Sequence, residues 1–320
     1  MEEESPEIEL PRAIALAWGV AANPQRGPKR ELSIEGIVDA AVAIADEKGL
    51  AAVSMSSVAS ALGFTTMSLY RYVTAKEDLI LLMQEHGVGL PPLRISEAAT
   101  WREGLTAYFE EMLGVYLAHP WLLDIPIVGI PNTPNNLAWM ESGMAAMRET
   151  PLDWQSRMAA GLLVMAQVRF QGLVERGYAD RARSTGIEPN DNDIADAHIL
   201  ANLVTDENFP ILREAIQSGV FGDPDDDPFA FGLARILDGI GVLIDNWTGE
   251  VPTNPTWEEP STDGFPKDEA VTAARVKRRE AEVKLREARR RELELIRKAR
   301  EKQKKRHEAE AKAAAKKSAG

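Results

Sequence analysis

Residues 54–79 read SMSSVASALGFTTMSLYRYVTAKEDL, and this stretch decides the fold. Ser54 is a helix-capping residue type, and Val58 and Leu62 follow four apart on one face of a helix that ends at Leu62. Gly63 supplies the tight turn after it. A short third helix is expected over about Thr65–Tyr72, with Leu69 directed back toward Val58 and Leu62. A fourth follows from Ala75 to about His86, carrying Leu79, Ile80, Leu82 and Met83, and Gly87, Gly89, Pro91 and Pro92 close the module. Immediately upstream, Ser33 caps an amphipathic helix over Ile34–Lys48, where Ile37, Ala41, Ile44 and Ala45 recur at three- and four-residue steps and Gly49 stands at its end.

Further upstream, residues 1–30 form an arm with Pro6, Pro11 and Pro24, a short apolar piece from Ile14 to Val20, and a basic hinge, Gln25-Arg26-Gly27-Pro28-Lys29-Arg30. Downstream, residues 94–248 are helical in pattern throughout. Helices are expected over Trp101–Ala118, Asn135–Arg148, Leu152–Gly177, Asp191–Val204, Pro210–Gln217 and Phe229–Trp247, with Pro126–Pro134 as a structured loop. No stretch alternates in the manner of a sheet, so the fold class is all-α. Residues 249–266, with Pro252, Pro255, Pro260 and Pro266, read as a linker. From Lys267 to Lys317 the chain lacks Gly and Pro and pairs Glu with cations four residues on (Glu282 with Arg286, Glu287 with Arg291, Glu294 with Lys298); its apolar residues keep no heptad seam, so a long charged helix is expected rather than a coiled coil.

Charge divides along the same lines. The 320 residues carry a net −13, yet residues 267–320 hold 20 Lys/Arg against 10 Asp/Glu, a net +10, which leaves −23 on residues 1–266. A body this acidic is no general polyanion binder, so nucleic-acid contact must come from a local patch or from the tail. The absence of cysteine excludes disulfides, thiolate metal sites and a Cys nucleophile, and fits a reducing cytoplasm. The start, MEEESPEIEL, lacks the pattern of a secretory signal, and apolar runs such as Gly161–Val168 are too short to span a bilayer, so no membrane association is expected.

The segment 54–79, with the helix before it, resembles the N-terminal helix-turn-helix of TetR-type transcriptional regulators over about residues 31–85. The marks are Leu62-Gly63, Leu69-Tyr70-Arg71-Tyr72-Val73, and Lys76 followed by an acidic, apolar helix. The resemblance implies a three-helix DNA-binding head (residues 31–90) on a helical effector-binding and dimerisation body (94–248), acting as a homodimer on a palindromic double-stranded DNA operator. It also implies release by a small-molecule effector. Early in the recognition helix, Thr65, Thr66 and Ser68 offer hydroxyls to base edges, and Met67 can touch a thymine methyl. By resemblance Ser54, Tyr70 and Lys76 hold phosphates, Arg71 and Tyr72 sit at phosphate or the edge of the site, and Ser56 occupies a position where some members place a base-reading arginine. Arg26, Lys29 and Arg30 add backbone or minor-groove contact. Each has a plainer reading: the tyrosines as packing residues, Ser54 as a cap, the basic hinge as a solvated segment.

The two most apolar helices, Leu152–Val174 and Phe229–Trp247, are the candidates for a subunit interface, with core filling as the alternative. Trp101, Tyr108, Met112, Trp121, Trp139, Met140, Met144, Met147, Met158, Met165 and Phe170 give aromatic and thioether surface suited to an apolar effector. Catalysis has little to draw on. His86, His119, His198 and His307 are scattered, and HExxH, GxSxG and phosphate-cradling loops are absent, so no cofactor or metal is expected. The competing function is an interaction protein whose basic C-terminal helix binds nucleic acid or an acidic partner.

Overall fold

The computed structural model describes residues 10–20, 32–130, 132–187, 196, 199–206, 209–220, 227–250 and 269–318. Every regular element among them is helical. The chain divides into two units, Met1–Val251 and Pro252–Gly320.

In the first unit a short helix α1 (Arg12–Ala17) precedes the head. The head comprises α2 (Ile34–Lys48), a 3₁₀ turn at Leu50–Ala52, α3 (Met55–Leu62) and α4 (Thr66–Leu69). Ser33 accepts a hydrogen bond from the Gly36 N–H, and Ser54 with Ser57 closes a reciprocal capping box at the start of α3. Gly63 sits in the left-handed region at φ 74°, where a side chain would be strained, and this turns the chain from α3 into α4. Ile37, Ala41, Val53, Val58, Leu69, Val73 and Leu79 are almost wholly buried and fix the three helices to one another.

α5 (Lys76–Val88) runs from the head into the body. It extends past the sequence-based end at His86. Gly87 lies inside the helix because the missing Cβ admits the Trp121 ring, which stands 3.1 Å from where that atom would be. α1 packs on α5, burying Ala13 and Ile14; Trp18, just after α1, donates its indole N–H to the Asn132 carbonyl at 2.9 Å. Part of the expected arm is thus a packed element.

The body consists of α6 (Trp101–Ala118), a 3₁₀ turn at Pro120–Asp124, α7 (Pro134–Ala146), α8 (Trp154–Thr185), α9 (Pro210–Gln217) and α10 (Pro228–Asp245). α8 packs against α6, α7 and α10. It runs eight residues beyond the expected end at Gly177, because a solvent-exposed glycine weakens a helix by about 1 kcal/mol without stopping it. Of the helix expected over 191–204, residues 196 and 199–203 are helical, and 191–195, 197 and 198 lie outside the described residues. The head is clasped to the body by Asp46 on α2, whose Oδ1 accepts the Trp121 indole N–H at 2.7 Å and lies 2.8 Å from His119 Nδ1.

α6 and the α7 end of the body meet at Gly104. A Cβ there would stand 2.7 Å from Ala146 Cβ and 2.9 Å from the Ile95 carbonyl oxygen, neither of which is a flexible chain end. Gly104→Ala will therefore destabilise the first unit by about 1–3 kcal/mol, read as a fall in the thermal midpoint, whereas Gly114→Ala on the open side of α6 will change it little.

The second unit is α11, one helix over Glu269–Ser318. Val276, Val283, Leu285, Leu295 and Ile296 are exposed on it. The expected linker lies almost entirely outside the described residues.

Candidate DNA-reading face and effector cavity

The short helix α4 is the sharpest local departure from expectation. Its four residues replace an expected eight. At the front, Thr65 stands outside the helix and caps it, its Oγ1 accepting the Ser68 N–H at 3.3 Å and lying 2.9 Å from Ser68 Oγ. At the back, the Tyr72 N–H bonds to the Leu69 carbonyl at 2.9 Å, a tighter i→i+3 turn that carries Val73 into the core. Leu69 is 0% exposed beneath, while on the outer side Met67 is 71% and Tyr70 44% exposed.

Around that outer side Ser56, Thr65, Arg71 and Lys76 are exposed, and Ser54, Thr66, Ser68 and Tyr72 are half-buried. The exposed members come from α3, the turn, α4 and the first residue of α5. Lys76 has no ion-pair partner among the described residues, and the first turn of α5, which also carries Glu77 and Asp78, has no side-chain cap. The hydroxyls of Thr65 and Ser68 are partly engaged with each other, which leaves Thr66 and Met67 as the less constrained groups on α4. Arg26, Lys29 and Arg30 lie outside the described residues. Phe64, 39% exposed in the turn, was not anticipated; a glycine-flanked aromatic at the helix-turn-helix corner is the signal that was available.

A cavity of about 410 Å³ lies among α5, α6, α7 and α8. α6 contributes Leu105, Tyr108, Met112 and Tyr116, one helical face at three- and four-residue steps. α8 contributes Arg157, Gly161, Met165 and Arg169 at strict four-residue steps, together with Met158 and Leu162. α7 adds Asn136, Trp139, Met140 and Met144, and α5 adds Leu81, Gln84 and Val88. The rim includes Ile127, Val128 and Ile130, all more than 70% exposed. Tyr108 packs edge-on to Trp139 with ring centroids 5.5 Å apart. Burial raises the pKa of both tyrosine hydroxyls above the ordinary phenol value, so they are neutral donors; Arg169 beside Tyr116 partly opposes the effect.

Seven of the aromatic and methionine residues expected at a pocket therefore line this one cavity: Tyr108, Met112, Trp139, Met140, Met144, Met158 and Met165. Trp101 and Trp121 do not. Trp101 lies against Gly241 on α10 and stacks under Arg102, and Trp121 is buried between α5 and the Asp46 clasp. Met147 is fully buried in the core, and Phe170 points outward beside Phe229. The polar wall residues Gln84, Asn132, Asn136, Arg157 and Arg169 were missed. Arg157 and Arg169, which bracket the largely apolar stretch 158–168 of α8, were the legible sign.

Two further surfaces bear on function. The inner faces of α8 and α10 are buried through Ala160, Val164, Val168, Leu233, Leu237 and Ile240, while Leu163, Phe170, Leu173, Phe231 and Val242 on the same helices are exposed. Among the described residues no group of three His, Asp or Glu is placed to hold a metal ion, and no helix is long and apolar enough to cross a membrane.

Comparison with known proteins gives a consistent result. A family model described as bacterial regulatory proteins, tetR family, matches residues 37–83, and one described as tetracyclin repressor-like, C-terminal domain, matches residues 95–244. The HTH-type transcriptional repressor DrrR1 of Streptomyces coeruleorubidus is 34% identical over 255 residues, covering 78% of this chain and 92% of that protein. An HTH-type transcriptional repressor of Mycobacterium tuberculosis is 25% identical over 228 residues, covering 69% of this chain and 85% of its own length. Among solved structures, apo ActR from Streptomyces coelicolor superposes with a TM-score of 0.55 at 24% identity, over 68% of this chain and 96% of ActR. ActR in complex with actinorhodin gives 0.53 at 24% identity, over 67% and 98%. At that identity the structures speak for the fold.

Proposed function

The chain belongs to the TetR family of bacterial regulatory proteins, and from that premise we propose that it is a transcriptional repressor whose hold on a palindromic operator is released by a small molecule in the α5–α8 cavity. The observation that carries the reading is the placement of α5. Its first residue, Lys76, stands on the DNA-reading face, and Leu81, Gln84 and Val88 farther along it are cavity wall. A ligand that fits one position of α5 better than another shifts the head by its differential affinity for the two states, and by no more. Full reversal of a 1:99 equilibrium takes roughly a 10⁴-fold preference.

In this reading α3 braces and α4 enters the major groove. Thr66 and Met67 meet base edges, Thr65 and Ser68 add hydroxyls at the groove wall, and Ser54, Tyr70, Arg71, Tyr72 and Lys76 hold phosphates or the edge of the site. Ser56, exposed on α3, offers one weakly discriminating hydroxyl. The head is residues 31–90 and the body 94–248. A homodimer is supported by the exposed apolar faces of α8 and α10, which a second copy would cover. The effector half is supported by the cavity and by ActR, of the same fold, which has been crystallised with actinorhodin.

Selection of bound duplexes from a random pool by the full chain tests this. The expected product is an inverted repeat with half-sites about one helical turn, roughly 34–36 Å, apart. Recovery of no sequence, or of a single asymmetric site, defeats the reading.

A further inference from the structure

The cavity wall has a charge opposite to that of the chain. In a protein with 50 Asp/Glu against 37 Lys/Arg, the residues around the cavity include two arginines and neither an aspartate nor a glutamate. Glu85, next to Gln84 on α5, is not on the wall, and its Oε1 accepts the Asn135 N–H at 2.7 Å. A cation in an apolar chamber is costly unless an anion or hydrogen bonds compensate it.

The compensation present is incomplete. Arg169 donates from Nη2 to the carbonyls of Leu123 at 2.7 Å and Ile125 at 2.8 Å, which locks the guanidinium in place and leaves the donors on Nε and Nη1. The Tyr116 hydroxyl is hydrogen-bonded with the Arg169 side chain and donates to Met165 Sδ at 3.7 Å, and that of buried Tyr108 has no hydrogen-bond partner among the described residues. Arg157 donates from Nη2 to the Thr150 carbonyl at 2.9 Å and stacks 4.7 Å over Trp154, while its Nε is shielded from solvent and has no partner among the described residues. The two arginines are twelve residues apart, about 18 Å along α8, so they mark opposite ends of the chamber and cannot share one small group.

Resting on the effector reading above, we propose that the ligand of this cavity is an elongated apolar acid. An aromatic body fills the space between Trp139 and the methionines, a carboxylate, sulfonate or phenolate sits at Arg169 with the Tyr108 and Tyr116 hydroxyls, and a second oxygen acceptor reaches Arg157 Nε. The acid supplies the missing charge, and its oxygens supply acceptors to the Tyr108 hydroxyl and to Arg157 Nε, which otherwise lack them.

Two probes separate charge from shape: 1-anilinonaphthalene-8-sulfonate and N-phenyl-1-naphthylamine, the same rings without the sulfonate. Binding to the full chain is read as energy transfer from tryptophan, with the Trp139 share removed in W139F. The sulfonate is expected to bind at least tenfold tighter than the neutral probe. R169Q is expected to weaken the sulfonate at least tenfold while leaving the neutral probe within twofold, and R169K to restore most of the preference. Because Arg169 holds two carbonyls and Arg157 only that of Thr150, R157Q provides a second variant at the other end of the chamber, and it is expected to weaken longer sulfonated dyes while leaving the neutral probe within twofold. Equal affinity for the two probes, or equal loss of both in R169Q with no rescue by R169K, overturns the acidic ligand while the cavity stands. Failure of both probes to bind overturns the effector reading as well.

Discussion

Lys76→Ala will lower affinity for the selected operator by roughly 30- to 150-fold and will do so equally for matched and mismatched duplexes. The magnitude follows from one charge-assisted phosphate contact per subunit, worth about 1–1.5 kcal/mol each and counted twice in a symmetric dimer. In the proposed role the lysine meets phosphate rather than a base, so the ratio of specific to non-specific binding stays put. The dependence of log K on log salt becomes shallower by about 2. Met67→Ala is the counterpart. Its exposed thioether side chain carries no charge, so its loss alters discrimination at one base step and leaves the salt slope alone. Titrations of both variants at several salt concentrations check this. A Lys76→Ala protein with altered sequence preference and an unchanged salt slope removes Lys76 from the phosphate contacts.

The division between what the sequence discloses and what it conceals follows the range of the forces involved. Caps act over three residues, so Ser33, Ser54, Gly49 and Gly63 give the ends of α2 and α3 directly, and Pro134, Pro210 and Pro228 mark the starts of α7, α9 and α10. What depends on a distant partner is hidden. Gly87 reads as a terminator until Trp121, thirty-four positions on, is seen to occupy the space its side chain would take. The cavity shows the same limit. Bulk selected Trp101 and Trp121 because large aromatics suit a pocket, but size carries no direction; both turn to other neighbours. The four-residue steps of Arg157, Gly161, Met165 and Arg169 do carry direction, and they would have named the α8 wall and its charge together.

Leu69→Ala should cost about 2–5 kcal/mol and remove DNA binding before it removes the rest of the fold. Four residues cannot form a stable helix on local propensity, since nucleation alone fixes several dihedrals for one hydrogen bond. α4 is therefore held by its burial: Leu69, 0% exposed, is its anchor, and the caps at Thr65 and Tyr70 only trim its ends. Truncation leaves a cavity under a helix with no other buried side chain. The neighbouring helices cannot collapse into it without moving the Gly63 corner. The thermal midpoint of the first unit falls by roughly 4–20 °C, at about 2–4 °C per kcal/mol for this size. Operator affinity at temperatures where circular dichroism is still native falls further than the stability loss alone predicts, because the reading face loses its fixed angle to α3. Leu69→Met, which preserves volume, is expected to cost less than about 1.5 kcal/mol and to keep most of the DNA affinity. If Leu69→Ala bound operator normally with a lowered midpoint, α4 would have to be positioned by the duplex itself rather than by the head, and the pre-set corner at Gly63 would lose its role in recognition.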